Sequence, residues 1–358
     1  MNNLYKDKVI VAMSGGVDST TVAALLHKKR YQVIGVTLQL YKSQSHFVTA
    51  KSCCAGQDIY DAKNAANQIG IPHYIVNYEK IFNKHVIENF TQGYSQGETP
   101  IPCIRCNQKV KFADLYLMAK KLGAKFLATG HYVRKIKKDG EDALFKGVDP
   151  LKDQSYFMFA TTKKQLSFLE FPLGHMTKDQ TRELAQDLKL DVYNKPESQD
   201  LCFVSDGHYA EVIKKLQPAL HKIGDIVLTN GRIIGTHNGI INYTIGQRRG
   251  LKISFSSPLY VIEIIPETNT IVVGSQSLLL IKKFNVKDIN WLLDESLLKQ
   301  EISCQVKLRS QQKPISAKIK FSNKTATVML SEYIQKTAPG QACVMYDNNR
   351  VLGGGWVM

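Results

Sequence analysis

The sequence has no apolar run approaching the ~20 residues that a helix needs to cross a bilayer. Its opening, MNNLYKDKVIVAMSGG, has neither an extended apolar core nor a small-residue cleavage site. A cytoplasmic protein with no membrane association is the expectation. Acid is also scarce: 31 Asp and Glu face 47 Lys and Arg, a formal net charge of +16. That field favours a polyanionic partner, although lysine-rich composition raises the charge of many enzymes that never meet one. Cysteine occurs seven times, at 53, 54, 103, 106, 202, 304 and 343, and an odd set without an export signal argues against a disulfide framework. Cys304 and Cys343 lie in alternating apolar stretches and read as small core residues. Cys53 and Cys54 precede a helix signal and read as local packing or helix N-terminal residues. Metal, redox or nucleophilic roles stay open for the rest. One more absence is local: MSGGVDSTTVAALL, residues 13–26, has no lysine after its second glycine, so it is not a Walker-type loop.

At 358 residues, two or three domains are expected. Strand and helix signals alternate through the first part: KVIVAM, a helix over 19–30, YQVIGVTLQLY, a helix over 57–69 stopped by Gly70, then HYIVNY. Helices around 80–92 and 109–122 and the strand KFLATG continue the series. Thr177 with Gln180 makes a capping box for a helix over 178–188. Beyond about residue 220 the period falls to two, with Asn230-Gly231 between strand-like runs and PLYVIEIIPETNTIVVG as a second hairpin. The stretches ISCQVKLR, PISAKIKFS, TATVML and QACVMYDNNRVLGGGWV alternate as a small antiparallel sandwich or barrel does. The expectation is an α/β doubly wound parallel-sheet domain over 1–208, a small mixed domain over 209–282 and a C-terminal antiparallel β-barrel over 283–358.

Ser14, Gly15, Gly16, Asp18 and Ser19 fall where the first strand hands over to a helix, a place where unpaired N–H groups and the helix dipole hold anions. Glycines let main chain approach phosphate oxygens, the hydroxyls add donors, and Asp18 would hold a divalent cation against the anion. SGGVDS resembles the pyrophosphate loop of the N-type ATP pyrophosphatases, which split ATP between its α and β phosphates and leave AMP on an acceptor oxygen. In TPIPCIRCNQKVKF (99–112), Cys103 and Cys106 have the gap of a redox pair or half a metal site. Arg105, Lys109 and Lys111 are near in sequence, and Cys106 immediately precedes a predicted helix, so a lowered thiol pKa is expected. The alternative is a pair of buried thiols. Activating an oxygen with adenylate and attacking the same carbon with persulfide sulfur asks for two cysteines.

SGGVDS, TPIPCIRCNQKVKF, LATGHYVR, KDQSYF, SQDLCFV, YTIGQRRGL and PGQACVMYDNNRVLGGGWV together resemble the bacterial tRNA-specific 2-thiouridylase family from end to end. That resemblance implies ATP-dependent replacement of the C2 oxygen of the wobble uridine (position 34) in tRNAs of the Lys, Glu and Gln type. Sulfur would come from a cysteine desulfurase through persulfide carriers. It further implies ATP and Mg²⁺ at Ala12, Met13, Ser14, Gly15, Gly16, Val17, Asp18, Ser19, Leu38 and Gly130, a nucleophile at Cys106 and a persulfide carrier at Cys202. Ile101, Pro102 and Cys103 would approach the target base; Lys152, Asp153 and Gln154, with Arg309 and Ser310, would contact the tRNA. Where many members have NPD this chain has IPC: either Cys103 is passive there, or it joins Cys106 and Cys202 in a three-thiolate site for an iron–sulfur cluster. His131 and Tyr132 follow a strand end and either reach the nucleotide or, for His131, satisfy a backbone carbonyl, and the GQRRG turn at 246–250 either binds phosphate or is merely solvated. Two other readings stand beside this one. An amide-forming ligase of the pyrophosphate-loop group would leave the paired cysteines and basic β domains unexplained. An RNA-binding protein with a vestigial nucleotide site would bind tRNA with a steep salt dependence and turn nothing over.

Overall fold

The computed structural model describes residues 7–41, 56–197, 201–204, 209–294, 296, 301–322 and 324–358. Cys53, Cys54, Gln199 and Asp200 lie outside them. The chain divides into two compact units: Met1–Val86, Cys103–Gly207 and Asn349–Val351 form one, and Ile87–Pro102, His208–Asn348 and Leu352–Met358 the other.

The first unit is built on a parallel sheet. Strand β1 (Lys8–Ala12) has Val9, Ile10 and Val11 wholly buried, so the run is continuously apolar, as a strand covered on both faces must be. It pairs in parallel with β2 (Gln32–Gln39), and β2 with β3 (His73–Asn77). The chain then returns to the other side of β1 with β4 (Leu127–Ala128), an antiparallel hairpin of β5 (Val133–Lys138) and β6 (Glu141–Lys146), and β7 (Leu169–Glu170), which pairs with β4. The order β3-β2-β1-β4-β7 reverses direction between β1 and β4. Open parallel sheets bind ligands outside the carboxyl ends of strands at such a reversal. Helix α1 (Val17–Lys28) and helix α2 (Gly56–Ile69) cover the sheet, burying Val22, Ala23, Leu26, Ala62 and Ala66 against Val9 and Val11. Each large aliphatic side chain so buried contributes roughly 1.5–3 kcal/mol.

Two expected helices are broken. The segment at 80–92 is a helical turn over Glu79–Phe82, a π turn over Asn83–Ile87 and a helix over Glu88–Ser95. The segment expected over 109–122 starts earlier, with helix α3 (Pro102–Cys106), widens into a π turn over Asn107–Lys111, and resumes at Asp114–Lys121. In the wide turn the Phe112 N–H bonds the Asn107 carbonyl at 2.8 Å, and the buried Asn107 amide reaches the Phe157 carbonyl at 3.3 Å. The Thr177–Gln180 capping box is formed and opens helix α4 (Lys178–Asp187).

In the second unit, β8 (Gly224–Leu228) and β9 (Ile233–His237) form the hairpin expected around Asn230-Gly231, with Gly231 at φ +85°. Strands β10 (Tyr260–Ile265) and β11 (Thr270–Gly274) form the next, and the sheet order is β10-β11-β8-β9. Six further strands follow: β12 (Leu280–Trp291), β13 (Glu301–Lys307), β14 (Ile315–Ser322), β15 (Thr325–Gln335), β16 (Ala342–Asp347) and β17 (Arg350–Val357). They run in the order β12-β15-β14-β13-β16-β17, and β17 pairs back onto β12. The result is a closed antiparallel barrel around Val286, Val306, Ile319, Val328 and Met345. Among the described residues no helix is long and apolar enough to cross a membrane.

Candidate functional site

The loop after β1 is shaped by its own short side chains. The Ser14 N–H donates to Ser19 Oγ at 3.0 Å, the two hydroxyls lie 3.2 Å apart, and Ser19 Oγ donates to the Gly16 carbonyl at 3.3 Å. Gly15 stands at φ +73°, and a Cβ there would run into the Asp58 backbone carbonyl. Gly16 is the N-cap of α1 and brings no side chain to the first-turn N–H groups. From across the strand-order reversal, Gly130 follows β4 and packs on the same turn: a Cβ on it would stand 2.9 Å from Asp18 Cβ and 2.9 Å from the Ser19 nitrogen. Ala12 ends β1, Met13 is buried with its N–H on the Val36 carbonyl, and Leu38 lies buried in the neighbouring strand. Ala12–Ser19, Leu38 and Gly130 are thus gathered at the carboxyl edge of β1, β2 and β4.

Two lysines that local sequence reading did not single out hold this loop. Lys178, the first residue of α4, is 8% exposed at its side chain and donates to Asp18 Oδ1 at 2.7 Å. The Tyr132 phenol donates to the same oxygen at 2.7 Å, and the ammonium lies 5.7 Å from the Tyr132 ring centre. Lys178 also meets Glu197 Oε1 at 2.9 Å, while Lys152 holds Glu197 Oε2 at 2.6 Å. Burial raises the Glu197 pKa, but the bonds to Lys152 and Lys178 outweigh it and keep the carboxyl below its usual range. On the other side Lys195 donates to the Gly15 carbonyl at 3.1 Å, to Asp58 Oδ1 at 2.7 Å and to Asp61 Oδ2 at 2.5 Å. Burial pulls this ammonium's pKa down, and the hydrogen bonds to Asp58 and Asp61 more than restore it. Asp18, read from the sequence as a cation ligand, is here neutralised by the Lys178 ammonium. A local motif search has no means of finding partners 160 and 180 residues away.

The cysteines correct a second expectation. Cys106 ends α3 with helical backbone (φ −61°, ψ −48°) and continues into the π turn, so it does not sit at a helix N-terminus. It is buried, and desolvation raises its thiol pKa against a smaller lowering by Lys111. The thiol is held protonated here, contrary to the lowered pKa that its basic sequence neighbours suggest. Cys103 is exposed and Cys202 half-buried. The Cys202 carbonyl accepts from the Tyr41 phenol at 2.6 Å, two residues past β2, and Phe203 packs edge-on to Phe82 at 5.9 Å. Among the described residues no three His, Cys, Asp or Glu side chains converge as metal ligands. The three-thiolate cluster site expected at Cys103, Cys106 and Cys202 is therefore not assembled: Cys103 is an exposed residue while Cys106 is buried.

His131 bonds Thr129 Oγ1 through Nδ1 at 2.9 Å and meets Phe112 edge-on. Burial, aided by the charge of Lys111, pushes its pKa down to about 3, so it is neutral. The Lys152–Gln154 stretch is engaged within its own unit. Asp153 accepts from the N–H groups of Gly147 and Ser155, each at 3.1 Å, and Gln154 Oε1 from that of Tyr132 at 2.8 Å. Ile101 and Pro102 close one segment of the second unit, and Cys103 opens a segment of the first. Arg309 and Ser310 lie in the second unit, between β13 and β14. Within GQRRG, Gln247 organises the turn by accepting from the Thr244 N–H at 3.0 Å, while Arg248 and Arg249 are exposed.

Comparison with known proteins adds three family models: one described as tRNA methyl transferase HUP domain matches residues 7–206, one described as tRNA methyl transferase PRC-barrel domain matches 212–275, and one described as aminomethyltransferase beta-barrel domain matches 281–357. The tRNA-specific 2-thiouridylase MnmA of Rickettsia canadensis (strain McKiel) is 55% identical over 350 residues, covering 98% of this chain and 95% of the relative. Its counterpart in Rickettsia massiliae (strain Mtu5) is 53% identical, covering 98% and 96%. Among solved structures, an NMN synthetase from Francisella tularensis is similar at 19% identity with a TM-score of 0.35, over 61% of this chain and 79% of that one.

Proposed function

The chain belongs to the tRNA-specific 2-thiouridylases, ATP-utilising tRNA-modifying transferases, and from that premise we propose the course of its reaction and the residues that carry it. ATP lies on the Ser14–Ser19 loop, where Gly15 and Gly130 keep the main chain clear of side chains and the α1 N-terminus faces the phosphates. Leu38 bounds the adenine. Mg²⁺ arrives with the nucleotide; Asp18 is the carboxylate beside it, with its charge shared with Lys178.

The substrate is the wobble uridine of a tRNA of the Lys, Glu or Gln type. Its C2 oxygen attacks the α-phosphorus, a P–O bond breaks and pyrophosphate leaves. The terminal sulfur of a Cys202 persulfide, loaded by a cysteine desulfurase or a persulfide carrier protein, then attacks C2. The C–O bond breaks and AMP departs with its electron pair. The Cys106 thiolate attacks Cys202 sulfur, freeing 2-thiouridine and leaving a Cys106–Cys202 disulfide, which a cellular dithiol reduces before the next turnover. Cys106 is buried and protonated in the state described, so this last step requires the α3 segment to open and give up the thiol proton. Ile101–Cys103 approach the base, and Lys152–Gln154 and Arg309–Ser310 the tRNA. The +16 charge favours that substrate over a small carboxylic acid.

The observation that carries the reading is the placement of the Ser14–Ser19 loop and the half-buried Cys202 in one compact unit, past the carboxyl ends of adjacent strands. The test is incubation of the protein with ATP, Mg²⁺, a persulfide donor and tRNA bearing a wobble uridine, followed by nucleoside mass spectrometry. Thiolated uridine with AMP in equal amount is expected, and Cys202→Ser abolishes it while ATP and tRNA still bind. No sulfur in the nucleoside, or wild-type transfer by the serine variant, overturns the scheme.

A further inference from the structure

The peptide unit that opens the phosphate loop is held at both ends by side-chain hydroxyls. Its N–H, that of Ser14, donates to Ser19 Oγ at 3.0 Å. Its carbonyl, that of Met13, accepts from the Thr37 hydroxyl at 2.9 Å. Thr37 is a buried residue of β2, one position past the last paired register of β1 and β2, Ala12 with Val36. The Met13 N–H still reaches the Val36 carbonyl at 2.8 Å, and beyond it the Thr37 side chain takes over from the ladder. Thr37 Oγ1 also lies 2.8 Å from Nε2 of His73, the first residue of β3. A hydroxyl has one hydrogen, and the Met13 carbonyl receives it, so Thr37 accepts from the ring and Nε2 carries the proton. Burial, aided by the charge of Lys63, lowers the His73 pKa and keeps the ring neutral at neutral pH. A second feature joins the same residues. Gly35 leaves room for the Met13 thioether beside the imidazole: a Cβ there would stand 2.5 Å from Met13 Sδ and 3.1 Å from His73 Cδ2. Met13 and Thr37 are both buried, so water is poorly placed to replace a lost partner, and an unmade bond there carries its full cost.

We propose that Thr37 and His73 are positioning residues for the phosphate loop: the relay from His73 through Thr37 to the Met13 carbonyl fixes the plane of the Met13–Ser14 peptide, and with it the start of the loop whose later N–H groups meet the phosphates. The inference rests on the reading above, that the loop holds ATP. It adds that nucleotide affinity depends on β3, the edge strand of the sheet, through a residue that acts only by way of its neighbour.

The experiment measures ATP affinity of the full-length protein by equilibrium dialysis, with tRNA affinity by filter binding in parallel. Thr37→Val keeps the shape and removes the hydroxyl; it raises the ATP Kd by about tenfold, the scale of one buried hydrogen bond, and leaves the tRNA Kd within about twofold. His73→Phe takes away the donor to Thr37 and raises the ATP Kd by about fivefold. Because His73 acts through Thr37, the double variant binds ATP within about twofold of Thr37→Val alone, whereas two residues that merely support the fold would multiply their losses. Thr37→Ser and His73→Gln, which keep the hydroxyl and the N–H donor, return to within about twofold of wild type. If Thr37→Val fails to fold, the contrast between His73→Phe and His73→Gln carries the test. Wild-type ATP affinity in Thr37→Val or His73→Phe, multiplied losses in the double variant, no recovery by the serine or glutamine variants, or an equal loss of tRNA affinity overturns the proposal. Those outcomes with a wild type that binds ATP sink this inference alone, whereas a wild type that does not bind ATP sinks the parent reading with it.

Discussion

Gly15 and Gly16 are adjacent, yet the structure gives them different tasks, and alanine at each separates the two. At Gly15 the backbone is left-handed (φ +73°), a conformation that costs a non-glycine residue roughly 1–2 kcal/mol. The added methyl would also run into the Asp58 carbonyl, displacing the α2 turn whose Asp58 and Asp61 carboxylates hold Lys195. Together these predict a loss of roughly 2–4 kcal/mol for Gly15→Ala, and a melting temperature lower by roughly 5–15 °C. At Gly16 the backbone is extended (φ −91°, ψ 165°), and the nearest atom to a new Cβ is Ser14 Oγ at 3.7 Å. Gly16→Ala should therefore fold with stability within roughly 1 kcal/mol of wild type, either way. Its methyl stands on the first turn offered to phosphate, so ATP affinity should fall by at least about tenfold, equivalent to about 1.4 kcal/mol. Thermal denaturation paired with ATP titration reads both effects. A Gly15→Ala protein that melts like wild type, or a Gly16→Ala protein that binds ATP normally, refutes the assignment.

Cys103 should react with maleimide at least about tenfold faster than Cys106 at neutral pH, because one thiol is exposed while burial keeps the other protonated; equal rates by peptide mapping would contradict this. Sulfur release by Cys106 in a single turnover should continue to rise above the ordinary thiol range of about 8.5, since its raised pKa delays the thiolate to higher pH; a plateau below pH 8 would speak against it. For His131 the folded-state pKa, about 3, lies below the unfolded 6.5, so its contribution to stability is complete above 6.5 and is lost as pH falls toward 3. At pH 5 the loss is about 2 kcal/mol, and His131→Phe should remove that part of the acid sensitivity in urea titrations. An unchanged pH dependence in the variant would show that the imidazole is already charged in the folded state.

The parallel sheet and the barrel were legible because their signals are local. KVIVA is apolar throughout, SGGVDS follows directly, and the last strands alternate residue by residue. Asn230-Gly231 and the Thr177–Gln180 box each specify a turn or a cap within four residues. The charged surroundings of the loop were not legible. Lys178, Lys195 and Glu197 carry no local signature of their role, and the strand-end position that marks Tyr132 as a residue near the nucleotide does not reveal its bond to Asp18. Cys106 shows the opposite failure. Arg105, Lys109 and Lys111 are its neighbours in sequence, but burial governs its thiol, and burial belongs to the whole unit rather than to the local stretch. The π turn at Asn107–Lys111 likewise hides from a 3.6-residue period.

The seam of the barrel bears on how the chain is made. Val286 of β12 pairs with Val357 of β17, so the ring cannot shut until the ribosome has released nearly everything between them. Until then β12 and its growing neighbours present unsatisfied strand borders, open to pairing with another nascent copy. Translation speed across the last strands, and any holdase waiting at the exit tunnel, should therefore govern the yield of soluble protein more strongly than residues of the first sheet do.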